Sequence, residues 1–170
     1  MAAPLFENRC DCKSGVSNDM ALNDDIQLLA KVPLFQGFTD DQLRLIAFGA
    51  ERRRIAEGQA LFREHSPAEC AFVIARGGFY LYSTGRSGKA ELQATPTSGT
   101  LLSELALFTL CERKYTAVAT EDSEVIRITR ILFHRMIEEF PDVADVVLTR
   151  IRDNIAALSA GATALQGRFS

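Results

Sequence analysis

The hydrophobic period changes twice along this chain, and that change limits what it can fold into. In the middle, apolar residues come in short runs separated by turn formers at close spacing: Glu57-Gly58, Ser66-Pro67, Gly77-Gly78, Gly85-Arg86-Ser87-Gly88 and Pro96 to Gly99. The runs between and after them are Ala60 to Arg63, Cys70 to Ala75, Phe79 to Ser83, Ala90 to Ala94, Tyr115 to Ala119 and Glu124 to Ile128. Many short strands with regular turns predict an antiparallel barrel or roll. The strand-then-helix alternation of a parallel doubly wound sheet does not occur.

On both sides of this region the period is helical. Asn23 is placed to cap a short first helix with the stripe Ile26, Leu29, Ala30, stopped by Pro33. Thr39-Asp40-Asp41-Gln42 has the spacing of a capping box, in which Thr and Gln satisfy each other's free backbone N–H groups. It opens a second helix with Leu43, Ile46 and Ala47 inward and Gly49 as its C′ residue. Towards the end, Thr129 caps a helix carrying Leu132, Phe133, Met136, Ile137 and Phe140, and Pro141 suits the first turn of the next. That last helix, about 142–158, puts Val143, Val146, Val147, Arg150, Ile151 and Ile155 near one face. The expected fold class is α+β, mainly β: an antiparallel β-roll or jelly-roll barrel flanked by short N-terminal helices and two C-terminal helices. Residues 1–22 read as a flexible tail, 23–158 as one domain and 159–170 as a second flexible tail. Met20 is a candidate alternative start.

Composition narrows the function classes. At 170 residues and 47% hydrophobic, the chain can bury one core. Its formal net charge of -3 argues against a free-standing nucleic-acid binder, because phosphate neutralisation supplies most of such a protein's affinity. No apolar run is long enough to span a bilayer and no secretory leader is evident, so the expected location is cytoplasmic. In that compartment the four cysteines are expected as free thiols. Cys10 and Cys12 form a C-x-C pair with no His or further Cys nearby to complete a tetrahedral set, and no metal or resident cofactor is expected. Cys70 and Cys111 read as small core residues. His65 and His134 have no nucleophile at useful spacing, and the chain contains no Gly-rich phosphate loop, H-E-x-x-H or G-x-S-x-G. It is not expected to be an enzyme.

One segment carries chemistry: Gly99-Thr100-Leu101-Leu102-Ser103-Glu104-Leu105-Ala106-Leu107-Phe108, followed by Cys111-Glu112-Arg113-Lys114-Tyr115-Thr116-Ala117. A strand ends near Leu102 and a short apolar helix, Glu104 to Leu110, is expected to interrupt the sheet. A helix start there turns free N–H groups towards one spot. Arg113 brings a planar fork suited to two phosphate oxygens. Glu104, an acceptor only, suits a sugar hydroxyl.

This segment resembles the phosphate-binding cassette of the cyclic-nucleotide-binding domain family, Gly-Glu-Leu-Ala-Leu and then Arg-(Ser/Thr/Ala)-Ala; here it reads Ser-Glu-Leu-Ala-Leu and Arg-Lys-Tyr. The likeness runs from about Ile26 to Leu158. It takes in Leu34-Phe35 before Phe38-Thr39-Asp40-Asp41, then Gly58, the run Ser66 to Ile74, Gly77 and Gly99, and the closing region Phe133 to Ile155. It implies a cyclic-AMP receptor-like sensor domain acting in signal transduction, with cyclic AMP as the ligand expected first and cyclic GMP as the alternative. By the same resemblance Glu104 accepts from the ribose 2′-hydroxyl and Arg113 pairs with the cyclic phosphate. The backbone of Leu105 and Ala106 cradles the ligand, and the last helix repositions on binding.

The pattern departs from the family at Ser103, where the family has Gly, and at Lys114 and Tyr115. Ser103 would crowd the sugar. Lys114 would add a second positive charge, and the ring of Tyr115 could equally fill the pocket. The competing reading is a degenerate roll that binds nothing and docks partners through its last helix or Arg52-Arg53-Arg54, with Glu104 and Arg113 as an internal ion pair. The Val/Ile stripe of the last helix serves either core packing or a homodimer seam. Residues 159–170 carry no apolar stripe from which a recognition helix could be built, so DNA binding by this chain alone is not expected.

Overall fold

The computed structural model describes residues 16–166. Helices α1 (Val16–Lys31) and α2 (Asp40–Gly49) lead into the strands, with a 3-10 turn, Pro33–Phe35, between them. The strands are β1 (Glu51–Ile55), β2 (Ala60–Phe62), β3 (Pro67–Ala68), β4 (Cys70–Arg76), β5 (Phe79–Thr84), β6 (Ala90–Ala94), β7 (Leu101–Leu102), β8 (Cys111–Glu112), β9 (Thr116–Ala119) and β10 (Ser123–Thr129). A second 3-10 turn, Glu104–Leu107, lies between β7 and β8, and α3 (Arg130–Glu139) and α4 (Pro141–Gln166) close the fold. All pairings are antiparallel: one sheet in the order β1-β10-β4-β7, one in the order β2-β9-β5-β6, and the small pair β3-β8. This is the expected α+β roll.

Strand alternation divides the interior in two. Along β4, Ala71 and Val73 face the helices, where they join Leu29, Phe35, Ile46, Ile126, Phe133, Met136, Val143 and Val147. Cys70, Phe72 and Ile74 face the inside of the roll, with Phe79, Leu102, Ala117 and Val125. The helical side is stitched by rings: Phe133 meets Phe108 edge-on at 5.2 Å between centroids and Phe35 at 6.4 Å.

Local signals held where they were strongest. Thr39 and Gln42 form both bonds of the capping box, Thr129 caps α3 through the Leu132 N–H, and Pro141 opens α4. Three expectations need correction. Helix α1 begins at Val16 and not at Asn23, so 16–22 is not tail; Leu22 packs on the helical core in line with Ile26 and Leu29, and that burial outweighs Asn23's weak helix propensity. Helix α4 runs to Gln166, past the expected end near Leu158. Gly49 is the last residue of α2 and not its C′ residue: a Cβ there would lie 2.4 Å from Leu132 Cδ1, so a larger residue would make the Leu132 side chain shift where α2 packs on α3. Cys10 and Cys12 lie outside the described residues.

Arg52, Arg53 and Arg54 stand on the edge strand β1. Arg52 pairs with Asp25 and Glu124, Arg54 with the same Glu124, and Arg53 with Glu51. The basic run is thus matched by acids from its own domain, an arrangement that protects a sheet edge. Among the described residues, no helix is long and apolar enough to cross a membrane.

Candidate functional site

The cassette expected from sequence is a one-turn 3-10 helix, Glu104–Leu107, and not a helix reaching Leu110. Its entry residue, Ser103, is in the left-handed region (φ 60°, ψ 45°) without a side-chain capping bond. This is where the related pattern has glycine, and an L-residue there costs about 1–2 kcal/mol. The chain keeps the backbone bend and accepts the strain of a side chain. Within the turn the Ala106 N–H donates to Ser103 O (3.0 Å), and Arg130 Nε donates to Ala106 O (2.8 Å). Arg130 Nη2 also donates to Ala68 O (2.8 Å). Arg130 therefore ties the cassette to β3 and to the start of α3, while Phe108 against Phe133 ties it to the body of α3.

Ser103, Glu104, Leu105, Lys114 and Tyr115 line one cavity of about 430 Å³, together with Leu34, Leu101, Phe108, Cys111, Glu112 and Ile151. It lies on the helical side of the cassette, and α4 forms one wall through Ile151. Tyr115 is 37% exposed at its rim and does not plug it. Cys111 lines this cavity and is not a core residue.

Ala106 and Arg113 are elsewhere, which corrects the expectation of one shared hollow. Ala106 is buried in the core with its N–H and C=O already bonded within the protein. Arg113 turns into the interior of the roll and does not line this cavity. Its backbone continues the β3-β8 pairing, donating to Ser66 O and accepting from His65 N–H, both at 2.8 Å. Alternation at this register sends the side chain inward while Glu112 and Lys114 face out.

Arg113 is 4% exposed. Its Nη2 donates to Cys70 Sγ at 3.4 Å, and its Cζ sits 4.6 Å from the Phe62 centroid and 5.3 Å from that of Phe72. Nε and Nη1 find no hydrogen-bond acceptor among the described residues. Nor does any carboxylate of the described residues, Glu104 included, pair with it within 4 Å, so the internal ion pair of the competing reading is not formed. Stacking on two rings offsets part of the cost of burying the cation, by about 2 kcal/mol in a desolvated setting. It leaves N–H groups whose desolvation has no compensation.

Sequence reasoning placed Cys70 in the core and Arg150 on a face of the last helix, but gave no role at the site to these or to Phe62, Phe72 and Arg130. The period of two along β4 was enough to place Cys70 and Phe72 on one face; nothing local marked what they would face. Arg150 of α4 donates through Nη1 to Leu34 O (2.6 Å) and Pro33 O (3.1 Å), and through Nη2 to Gln36 O, which holds α4 against the first 3-10 turn. His65 is exposed between Glu64 and Glu112, and His134 is exposed on α3.

Comparison with known proteins agrees with this fold. The family model described as "Cyclic nucleotide-binding domain" matches residues 52–140. A cyclic nucleotide-binding-like protein from Brucella abortus superposes with a TM-score of 0.62 at 43% identity, covering 68% of this chain and 98% of that one. The cyclic AMP receptor protein of Thermus thermophilus is 29% identical over 128 residues, 75% of this chain and 56% of its own length. The lysophospholipase NTE1 of Chaetomium globosum is 26% identical over 113 residues, 66% of this chain but 7% of that enzyme, so the likeness covers only a small part of it. With the fold, the cassette and these matches in agreement, the chain belongs to the cyclic nucleotide-binding domain family.

Proposed function

We propose that this chain is a regulatory module that binds a cyclic nucleotide, cyclic AMP first, and reports occupancy through α4. One observation carries the reading: a buried guanidinium with two nitrogens free of acceptors among the described residues, in the family's phosphate-binding position. A cyclic phosphate supplies the charge and the oxygens this group lacks, and charge-assisted bonds of this kind contribute about 1.5–3 kcal/mol each. Likeness to a protein named cyclic AMP receptor supports the choice of ligand. Glu104 comes into range of the sugar once the cassette turns towards the roll interior. Arg130 and the Phe108–Phe133 contact pass that turn to α3, and the bend at Phe140–Pro141 passes it to α4. Val143 and Val147 face the domain, whereas Val146 (42% exposed) and Leu148 (50%) lie on opposite outer flanks of α4, and one such flank is where a homodimer contact through α4 would form. The reading assigns the chain no reaction of its own and no DNA contact. It places the chain in the cytoplasm.

The second reading, a roll that binds no nucleotide and serves protein contacts, draws on the same site: in this conformation rings cover Arg113 and it does not line the cavity that Glu104 faces. Calorimetric titration with cyclic AMP and cyclic GMP separates the two. The sensor reading expects saturable heat that Arg113→Ala abolishes in a variant whose circular dichroism is unchanged. No heat and no melting shift with either nucleotide favours the second reading.

A further inference from the structure

The roll interior holds the free arginine under a cover. The Phe62 and Phe72 rings stack on each other, 5.9 Å between centroids and 21° between planes, with the guanidinium against both. The two rings are supported unequally. Phe72 is buried in β4, which has β10 on one side and β7 on the other. Phe62 is half-buried at the end of the three-residue strand β2, the edge of its sheet, bonded only to β9 and with a register break between Ala60 and Phe62. Short, irregular edge segments open at low cost, and central strands do not.

We propose that Phe62 is a gate on the anion site: its ring covers the Arg113 guanidinium in the free domain and has to swing away before a phosphate can reach Nε and Nη1. This rests on the reading of Arg113 as the phosphate partner. The gate also selects by charge. A phosphodiester replaces the lost ring contact with stronger charge-assisted bonds, whereas a neutral nucleoside gives nothing in exchange. Phe62 therefore sets affinity, rate of entry and preference for anions without being a ligand contact in the closed form.

The test uses the full chain and two variants, Phe62→Leu and Phe62→Met, which keep most of the apolar volume and remove the π face. Cyclic AMP and cyclic GMP are titrated calorimetrically and mixed by stopped flow, with Arg113→Lys as the control for the site; folding is checked by circular dichroism and a cooperative melt. The expected result is an affinity about three- to tenfold higher and faster association in whichever Phe62 variant folds. Binding by a Phe62 variant where the unaltered chain shows none supports the gate still more strongly. If the unaltered chain binds and Arg113→Lys does not, while both Phe62 variants bind with equal or lower affinity, the gate fails and the sensor reading stands. If no protein of the set binds either nucleotide, both fail.

Discussion

The helical side of the cassette and the inside of the roll are both buried and largely apolar, but they treat arginine differently. On the helical side, the guanidinium of Arg130 bonds to the carbonyls of Ala106 and Ala68, and that of Arg150 to those of Pro33, Leu34 and Gln36. Those cations hold elements together. Inside the roll, Arg113 is the more deeply buried and has two rings and a thiol in place of oxygens. On the proposed reading, the arginine left bare is the one that a partner from outside satisfies. The difference separates what builds the domain from what the domain is for.

The largest expected effect lies on the structural side. Phe133→Ala removes the ring that joins Phe35 to Phe108 and should cost about 3–5 kcal/mol in urea unfolding. A smaller loss would mean that the helical side is less tightly packed than the roll. Arg150→Met should cost about 2 kcal/mol by removing charged bonds to three carbonyls, and it should raise hydrogen exchange in α4 specifically. Arg113→Met should behave in the opposite way: unfolding stability does not fall, because an apolar side chain replaces a poorly compensated charge, yet nucleotide binding drops at least about tenfold. Equal destabilisation by Arg113→Met and Arg150→Met would erase the contrast. Ser103→Gly should stabilise by about 1 kcal/mol in thermal melts, by relieving the left-handed strain at the cassette entry.

The smallest effect is in acid. Thr84 donates from its side chain and backbone to Glu64, beside the turn that holds the Arg113 backbone, and lowers the Glu64 carboxyl below its usual 4.5. A depressed carboxyl contributes stability above its unfolded pKa and loses it as pH falls through the folded one. The loss therefore lies below about pH 4.5, and a pH series on Glu64→Gln should lack that part of the acid limb.

The parts of the fold that were legible in sequence were those decided locally. Thr39 and Gln42, Thr129 and Pro141 act through bonds within a turn, and the strand runs stand between residues that set turn geometry. What depends on distant packing was not legible. The start of α1 at Val16 reflects Leu22 resting on the helical core, and Gly49 answers to Leu132 on α3. At the site, sequence identified the residue types and their order along the chain. It did not show that Arg113 points into the roll interior and away from the cavity that Glu104 lines, because that follows from the β3-β8 register, and two-residue strands carry no pattern of their own.

The most direct measurement compares two arginine Nε–H groups by NMR during titration with cyclic AMP. Arg130 Nε is already bonded to Ala106 O, whereas Arg113 Nε has no acceptor among the described residues. The account predicts that the Arg113 Nε–H resonance, assigned by its loss in Arg113→Lys, shifts strongly downfield and becomes protected from exchange, while that of Arg130 moves little. An Arg113 signal unmoved by saturating cyclic AMP and cyclic GMP would contradict it.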